Sequence, residues 1–263
     1  MAILNGSEEL VVAQHALNTA PDICAVDFQA DQALACDGCA LVGMCTAIGY
    51  GEPGFQNVEK LIDEAGPYRA GETIFRLDEP FEYLYAVKSG MIKAVHLDAE
   101  GREQVRGFFL PGELIGLEAI SPGKYLCEGV VLDDTRVCRL PFTRLSAVAA
   151  QQNQVQQHLF KLLSQAISDQ AERNWDLSAD QRLAAFLLDL SRRYTARGFS
   201  STRFRLCMSR GDMANYLRLA AETVSRVLAR LRSQGILDVH GRDAELLQPE
   251  ALQAMLGTTP LPN

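Results

Sequence analysis

From about Tyr68 to Pro141 the chain alternates short β-rich runs with glycine punctuation at Gly71, Gly90, Gly101, Gly107, Gly112 and Gly116. The runs Phe81–Val87 and Met91–Leu97 flank Lys88-Ser-Gly, which reads as a hairpin turn. Many short strands at this spacing predict a small antiparallel barrel or jelly roll. After Pro141 the period changes. Val155, Leu159, Leu162, Leu163, Ala166 and Ile167 recur at helical spacing over several turns. So narrow a stripe could be core, but it suits a seam between two helices. Ser178-Ala-Asp-Gln181 is a capping box that opens a further helix through Leu183, Phe186, Leu187 and Leu190. Ser209–Gly235 reads as two short helices joined by a tight turn, with Val224, Val227, Leu228 and Leu231 as the buried stripe of the second. Gly235 stops that helix, and Ile236–Leu247 resembles a β-hairpin wing.

The fold class these elements predict is α+β: an N-terminal antiparallel β-barrel or jelly roll, a long helix, and a C-terminal winged helix-turn-helix. The divisions fall at residues 1–50 (a cysteine-rich arm), 51–142 (the barrel), 143–176 (the long-helix region) and 177–263 (the winged domain).

Composition narrows the class. The 263 residues are 48% hydrophobic and 22% charged, as in a soluble protein. No apolar run approaches the roughly 20 residues needed to span a bilayer. No Lys or Arg precedes Lys60, so the positive region of a secretory leader is missing and a cytoplasmic location is expected. The net charge of -8 speaks against nucleic acid until its distribution is considered. Between Ser201 and Arg242 eight arginines face only three acidic residues, and local charge is what a phosphate backbone senses. Within this stretch Glu222, Ser225 and Arg226 share one helix face. Arg226 can bond guanine bidentately, Glu222 can accept from an amino group of cytosine or adenine, and Ser225 is adaptable.

Seven cysteines, an odd number in a reducing compartment, argue for metal or redox chemistry over a disulfide framework. Cys36, Cys39 and Cys45 form a C-x2-C-x5-C run, close enough to ligate one metal centre and too few to complete it. Zinc is one occupant of such thiols.

With both ends read, the chain resembles the Crp/Fnr superfamily of bacterial transcription regulators, and within it the fumarate–nitrate reduction branch. The resemblance spans roughly Cys36 to Leu256. It rests on the cysteine run, Gly107-Phe-Phe-Leu-Pro-Gly-Glu-Leu-Ile-Gly, Val137-Cys-Arg-Leu-Pro-Phe, Gln181-Arg-Leu-Ala-Ala-Phe-Leu, Ser191-Arg-Arg and Glu222-Thr-Val-Ser-Arg, in that order. It implies a [4Fe–4S] cluster held by Cys36, Cys39, Cys45 and Cys138, since the family's fourth ligand precedes an apolar-Pro-Phe turn. Cys127 is the competing fourth ligand; Cys24 and Cys207 match no ligand position. It also implies that oxygen oxidises the cluster, the arm loosens and a homodimer seam weakens. Leu159, Leu163 and Ile167 are the candidate seam residues, with Asp169 as a repulsive element beside them. The dimer would bind double-stranded DNA at a palindromic site with TTGAT-like half-sites about one helical turn apart. The loop near Gly101 is a candidate surface for RNA polymerase, as expected of an activator of anaerobic genes.

The sequence departs from the family pattern in three places. Arg218 stands where the turn between the reading helices has Gly, Ala220 where a capping Thr or Ser opens the second helix, and Ala40 where a small polar residue often follows the second cysteine. Arg218 could recover its conformational cost on a DNA phosphate. A cyclic-nucleotide receptor on the same fold is the nearest rival, but Gly123–Gly129 lacks an Arg-Ser pair and carries Glu128, and Ala221 replaces the arginine expected before Glu222. A thiol-redox enzyme is disfavoured because Cys36-Asp-Gly-Cys39 follows no strand of a βαβ unit and the four histidines are scattered. No enzymatic activity is expected.

Overall fold

The computed structural model describes residues 39, 42, 62–171 and 177–257, except for the side chains of 169–171. Eight strands come first: β1 (Asp63–Tyr68), β2 (Thr73–Phe75), β3 (Tyr83–Ser89), β4 (Ile92–Leu97), β5 (Glu103–Phe109), β6 (Leu114–Ile115), β7 (Glu128–Val131) and β8 (Thr135–Pro141). They form two four-stranded antiparallel sheets, ordered β1-β8-β3-β6 and β2-β7-β4-β5. The pairs β1/β8, β2/β7, β3/β6 and β4/β5 are nested, as in a long hairpin rolled upon itself, which makes this a jelly roll.

That winding corrects the hairpin expected at Lys88-Ser-Gly. β3 pairs with β8 and β6, whereas β4 pairs with β5 and β7, so the chain crosses between sheets here. Gly90 makes the crossing possible. Its φ of 80° is left-handed, and a Cβ there would meet Thr135 Oγ1 at 2.2 Å and the Asp134 carbonyl at 2.4 Å. A turn signal reports that the chain changes direction, not which sheet it enters next.

Helix α1 (Phe142–Gln151) follows β8 directly, and an extended Gln152 separates it from the long α2 (Asn153–Ala171). α2 carries two apolar stripes. Val155, Leu159 and Leu162 are buried in the protomer, whereas Phe160 (60% exposed) and Ile167 (70% exposed) point outward, with Leu163 between the two. α3 (Ala179–Thr195) starts at the expected capping box, with Ser178 Oγ accepting from the Gln181 amide and the Gln181 side chain accepting from the Ser178 amide.

The last unit comprises β9 (Arg203–Arg205), α4 (Arg210–Leu217), α5 (Ala221–Ser233), β10 (Leu237–His240), β11 (Asp243–Leu246) and α6 (Pro249–Met255). β10 and β11 form the wing, and β9 adds a third strand to it. Val224, Val227, Leu228 and Leu231 of α5 are buried, at 0–6% exposure. Their core does not end at the domain edge. Met91, Val105, Phe108 and Leu110 of the barrel join it, and the rings of Phe108, Phe186 and Tyr216 meet at 5.2–5.9 Å. Barrel and winged domain thus share one apolar core. Among the described residues no helix is long and apolar enough to cross a membrane.

Candidate nucleic-acid interface and cysteine site

The reading head is built from α4 and α5. Ser209 caps α4 by accepting from the Asp212 amide, and the Asp212 carboxylate accepts from the Ser209 amide in return. At the other end Arg218 adopts φ 55°, ψ 49°, the left-handed conformation that usually selects glycine. Its amide bonds the Asn215 carbonyl at 3.2 Å and the Leu219 amide bonds that of Ala214 at 2.9 Å. This is the Schellman pattern, with arginine in the glycine position. Arg182 of α3 buttresses it by donating to the carbonyls of Leu217 (3.2 Å) and Arg218 (3.4 Å).

Helix α5 then begins at Ala220, which offers no side-chain cap. Glu222, Ser225 and Arg226 are exposed on the face opposite the buried stripe. The Arg226 guanidinium donates to Thr223 Oγ1 at 3.2 Å, which holds it along the helix. Arg218 is exposed at the turn beside them. One surface therefore presents a carboxylate, a hydroxyl and two guanidinium groups, a set suited to base edges and phosphates.

The second site involves the other sheet of the barrel, β1-β8-β3-β6. Cys138, on β8, stands across from Glu64 of β1 and Ala86 of β3. Cys39 comes from a part of the chain remote in sequence. Both are half-buried and pack on one apolar cluster, formed by Ile62, Leu84, Ala86, Leu114, Leu140, Leu145, Ala149, Val155 and Leu162. Cys36, Cys45, Cys24 and Ala40 lie outside the described residues, as does the Asp169 side chain. Thiols are the donors an iron–sulfur centre takes, and Cys39 and Cys138, packed on the same apolar cluster, would be two of the four it needs.

Cys127 is placed differently. It is buried in another cluster, inside the barrel, where its thiol donates to Glu118 Oε1 at 3.1 Å. Burial and the neighbouring Glu118 carboxylate push its thiol well above the usual range. Cys207 is buried in the core shared by the barrel and the winged domain, its thiol 3.8 Å from Asp133 Oδ2.

The barrel interior is filled by aromatic side chains. Tyr125 stacks on Phe75 at 4.2 Å, Phe75 in turn stacks on Tyr85 at 5.4 Å, and Phe81 meets Tyr125 edge-on. A Cβ on Gly129 would touch the Phe75 ring at 2.7 Å. The stretch Gly123–Gly129, in which a cyclic-nucleotide receptor would need its phosphate clamp, thus supplies Tyr125 to the aromatic stack and the acidic Glu128, with Glu118 beside Cys127.

Sequence reasoning missed the polar seam between α4 and the barrel. Lys93 of β4 bonds Asp212 at 2.6 Å, and Asn215 bonds the edge strand β5 twice. Burial alone would raise the Asp212 carboxyl. Lys93 and the Ser209 hydroxyl and amide outweigh it and hold the group below its ordinary value. No local pattern marks these residues, because each reads as an ordinary surface group.

Comparison with known proteins agrees with this geometry. Residues 66–152 match the cyclic nucleotide-binding domain, and residues 181–255 the Crp-like helix-turn-helix domain. The transcriptional activator protein anr of Pseudomonas aeruginosa is 37% identical over 84% of this chain and 92% of its own length. The fumarate and nitrate reduction regulatory protein of Escherichia coli is 35% identical over 86% of this chain and 92% of its own. The structure of FixK2 from Bradyrhizobium japonicum superimposes with a TM-score of 0.65 at 32% identity, covering 76% of this chain and 98% of that one. Helix-turn-helix, jelly roll and similarity over most of the chain to known transcription regulators agree: the chain belongs to the Crp/Fnr family of DNA-binding transcription regulators.

Proposed function

We propose that this regulator is a cytoplasmic, homodimeric oxygen sensor that activates transcription, with a [4Fe–4S] cluster held by Cys36, Cys39, Cys45 and Cys138. The observation that carries the reading is that Cys39 and Cys138, remote in sequence, pack against the same apolar cluster. Bound there, the cluster would supply an oxidisable link between the N-terminal arm and the barrel.

The chain's own residues connect that site to the dimer. Val155 and Leu162, on the inner stripe of α2, belong to the same apolar cluster as the two cysteines. The outer stripe of the same helix, Phe160, Leu163 and Ile167, supplies the seam with a second copy. Leu159, also a seam candidate by sequence, packs within its own protomer at 8% exposure. Asp169 supplies charge near the seam's end, which keeps the interface marginal. A change at the cysteines therefore acts on a helix whose other face makes the dimer. On DNA, Glu222, Ser225 and Arg226 read a TTGAT-like half-site and Arg218 contacts a phosphate. Two-fold symmetry makes the whole site palindromic.

The loop between β4 and β5 is the surface for RNA polymerase. Asp98 organises it, accepting from the Glu100 and Arg102 amides and from Arg102 Nε at 2.7–3.0 Å. That leaves Ala99, Glu100 and Gly101 exposed at the tip.

The test is purification without air, iron and sulfide assay, and an operator gel shift before and after aeration. Iron and sulfide near four each per protomer, with binding lost on aeration, is the expected result. Equal binding in both states would remove oxygen sensing. Colourless protein containing zinc would replace the cluster by a structural metal.

A further inference from the structure

Helix α4 is the first helix of the reading head, yet two of its polar side chains, Asp212 and Asn215, are engaged with the barrel. The Asn215 amide lies against the edge strand β5 as a neighbouring strand would. Its Oδ1 accepts from the Val105 amide at 2.8 Å and its Nδ2 donates to the Glu103 carbonyl at 2.7 Å. One helical turn earlier, Asp212 accepts from Lys93 Nζ at 2.6 Å, and Glu103 lies 3.7 Å from the same ammonium. Lys93 and Asp212 are both largely buried, at 13% and 14% side-chain exposure, so water competes little for the pair. Asn215 also supplies the carbonyl that receives the Arg218 amide, and so joins the docking contact to the turn that launches α5.

We propose that Asn215, supported by the Lys93–Asp212 pair, is a positioning residue for operator binding: it fixes the direction of α5 relative to the barrel, and so the half-site spacing the dimer accepts. The proposal rests on the DNA-binding reading of α5 and deepens it. Dimer geometry is carried by α2 and the barrel, whereas base contacts are made by α5. The angle between the two is set where α4 meets β5. One added base pair turns the second half-site by about 35° and moves it by about 3.4 Å. A reading head latched to a sheet edge cannot follow that change, and an unlatched one can.

The experiment uses full-length protein purified without air, in the parent and in Asn215→Ala, Asn215→Gln and Lys93→Met. The probe is a palindromic duplex selected by the parent from a random pool. It is compared with versions one base pair longer and shorter and with a duplex carrying a single half-site, all by fluorescence anisotropy. Asn215→Ala is expected to lose roughly tenfold on the selected spacing, about what one or two hydrogen bonds are worth. It is also expected to bind all three spacings within about threefold of one another, and the single half-site within about twofold of the parent. Lys93→Met, a change on β4 and not on α4 or α5, should move in the same direction, which keeps the test intact if Asn215→Ala does not fold. Asn215→Gln, whose amide sits one methylene further out, should show an altered preferred spacing.

If Asn215→Ala and Lys93→Met keep the parent's discrimination between spacings, the positioning role is wrong. An equal loss on the single half-site would reassign Asn215 to direct support of α5, and would overturn the proposal too. A parent that selects no duplex at all would sink the operator reading of α5, and the positioning role with it.

Discussion

Arg193 of α3 grips the Glu113 carboxylate with two prongs, Nε to Oε1 at 2.9 Å and Nη2 to Oε2 at 2.5 Å, across the boundary between winged domain and barrel. Arg197 adds a contact at 3.1 Å, the Leu110 amide another at 2.9 Å, and Nη2 of Arg193 also reaches the Phe108 carbonyl. Planar, bidentate pairs of this kind are the strong ones.

The pair gives stability a pH dependence whose sign is fixed. Burial alone would raise the Glu113 carboxyl, but Arg193, Arg197 and the Leu110 amide outweigh burial and hold it below its ordinary value of 4.5. A carboxyl lowered in the folded state contributes fully above its ordinary value, and loses that contribution as pH falls through the folded value. Urea unfolding at several pH values should therefore show stability falling on the acid side of about pH 4.5. Glu113→Gln should be less stable by about 3 kcal/mol at neutral pH and should flatten that acid limb. An acid limb of unchanged slope in the variant would assign it to other carboxylates.

Phe160 and Ile167 make the seam testable without reference to the metal. Each exposes most of its surface in one protomer, and they lie two helical turns apart on α2. Burying such a side chain stabilises by roughly 2 kcal/mol, and a two-fold interface counts it twice. Ile167→Glu should shift the dimer to monomer in analytical ultracentrifugation while leaving helix content unchanged, because its side chain touches little of its own protomer. Leu159→Ala should instead lower the unfolding free energy by about 2–4 kcal/mol, since Leu159 is core.

Leu159 and Ile167 mark the limit of what can be read from the chain alone. Helical spacing picks out α2, but periodicity marks a stripe without naming its partner. Leu159 faces inward and Ile167 outward, although one repeat contains both. The α5 stripe was legible because Val224, Val227, Leu228 and Leu231 leave only one way to lay the helix down. The wing was legible because Gly241 marks a reversal between two short runs that do pair. The reversal at Gly90 looks alike and its flanking runs do not pair, since register belongs to the whole jelly roll. The Asn215–β5 contact joins residues more than a hundred positions apart, and no local rule reaches that far.

Cys138 and Cys127 separate the proposed ligand set from its rival. Cys138→Ser should abolish the visible absorbance of protein made without air and reduce its iron to background. Cys127→Ser should keep both, because Cys127 is buried in a different cluster from the one that carries Cys39 and Cys138, with its thiol bonded to Glu118. Loss of colour in Cys127→Ser with retention in Cys138→Ser would reverse the assignment.

Arg218 combines a conformational cost with a functional return, and one substitution measures both. In the left-handed region a non-glycine residue costs on the order of 1 kcal/mol. The turn holds it there through the two Schellman bonds and the Arg182 buttress. Arg218→Gly should raise the unfolding free energy by about 1 kcal/mol, minus whatever the glycine's freedom in the unfolded chain takes back. On DNA the same variant should bind more weakly at low salt. The slope of log affinity against log salt should become shallower by about 1.8, the value for two phosphates, one under each protomer, that are no longer neutralised. Base preference should not change, because Glu222, Ser225 and Arg226 are untouched and a bond to phosphate carries no sequence information. A stabilised variant with the parent's salt slope would mean that Arg218 occupies the glycine position without touching DNA, and that its left-handed strain has no return at the operator.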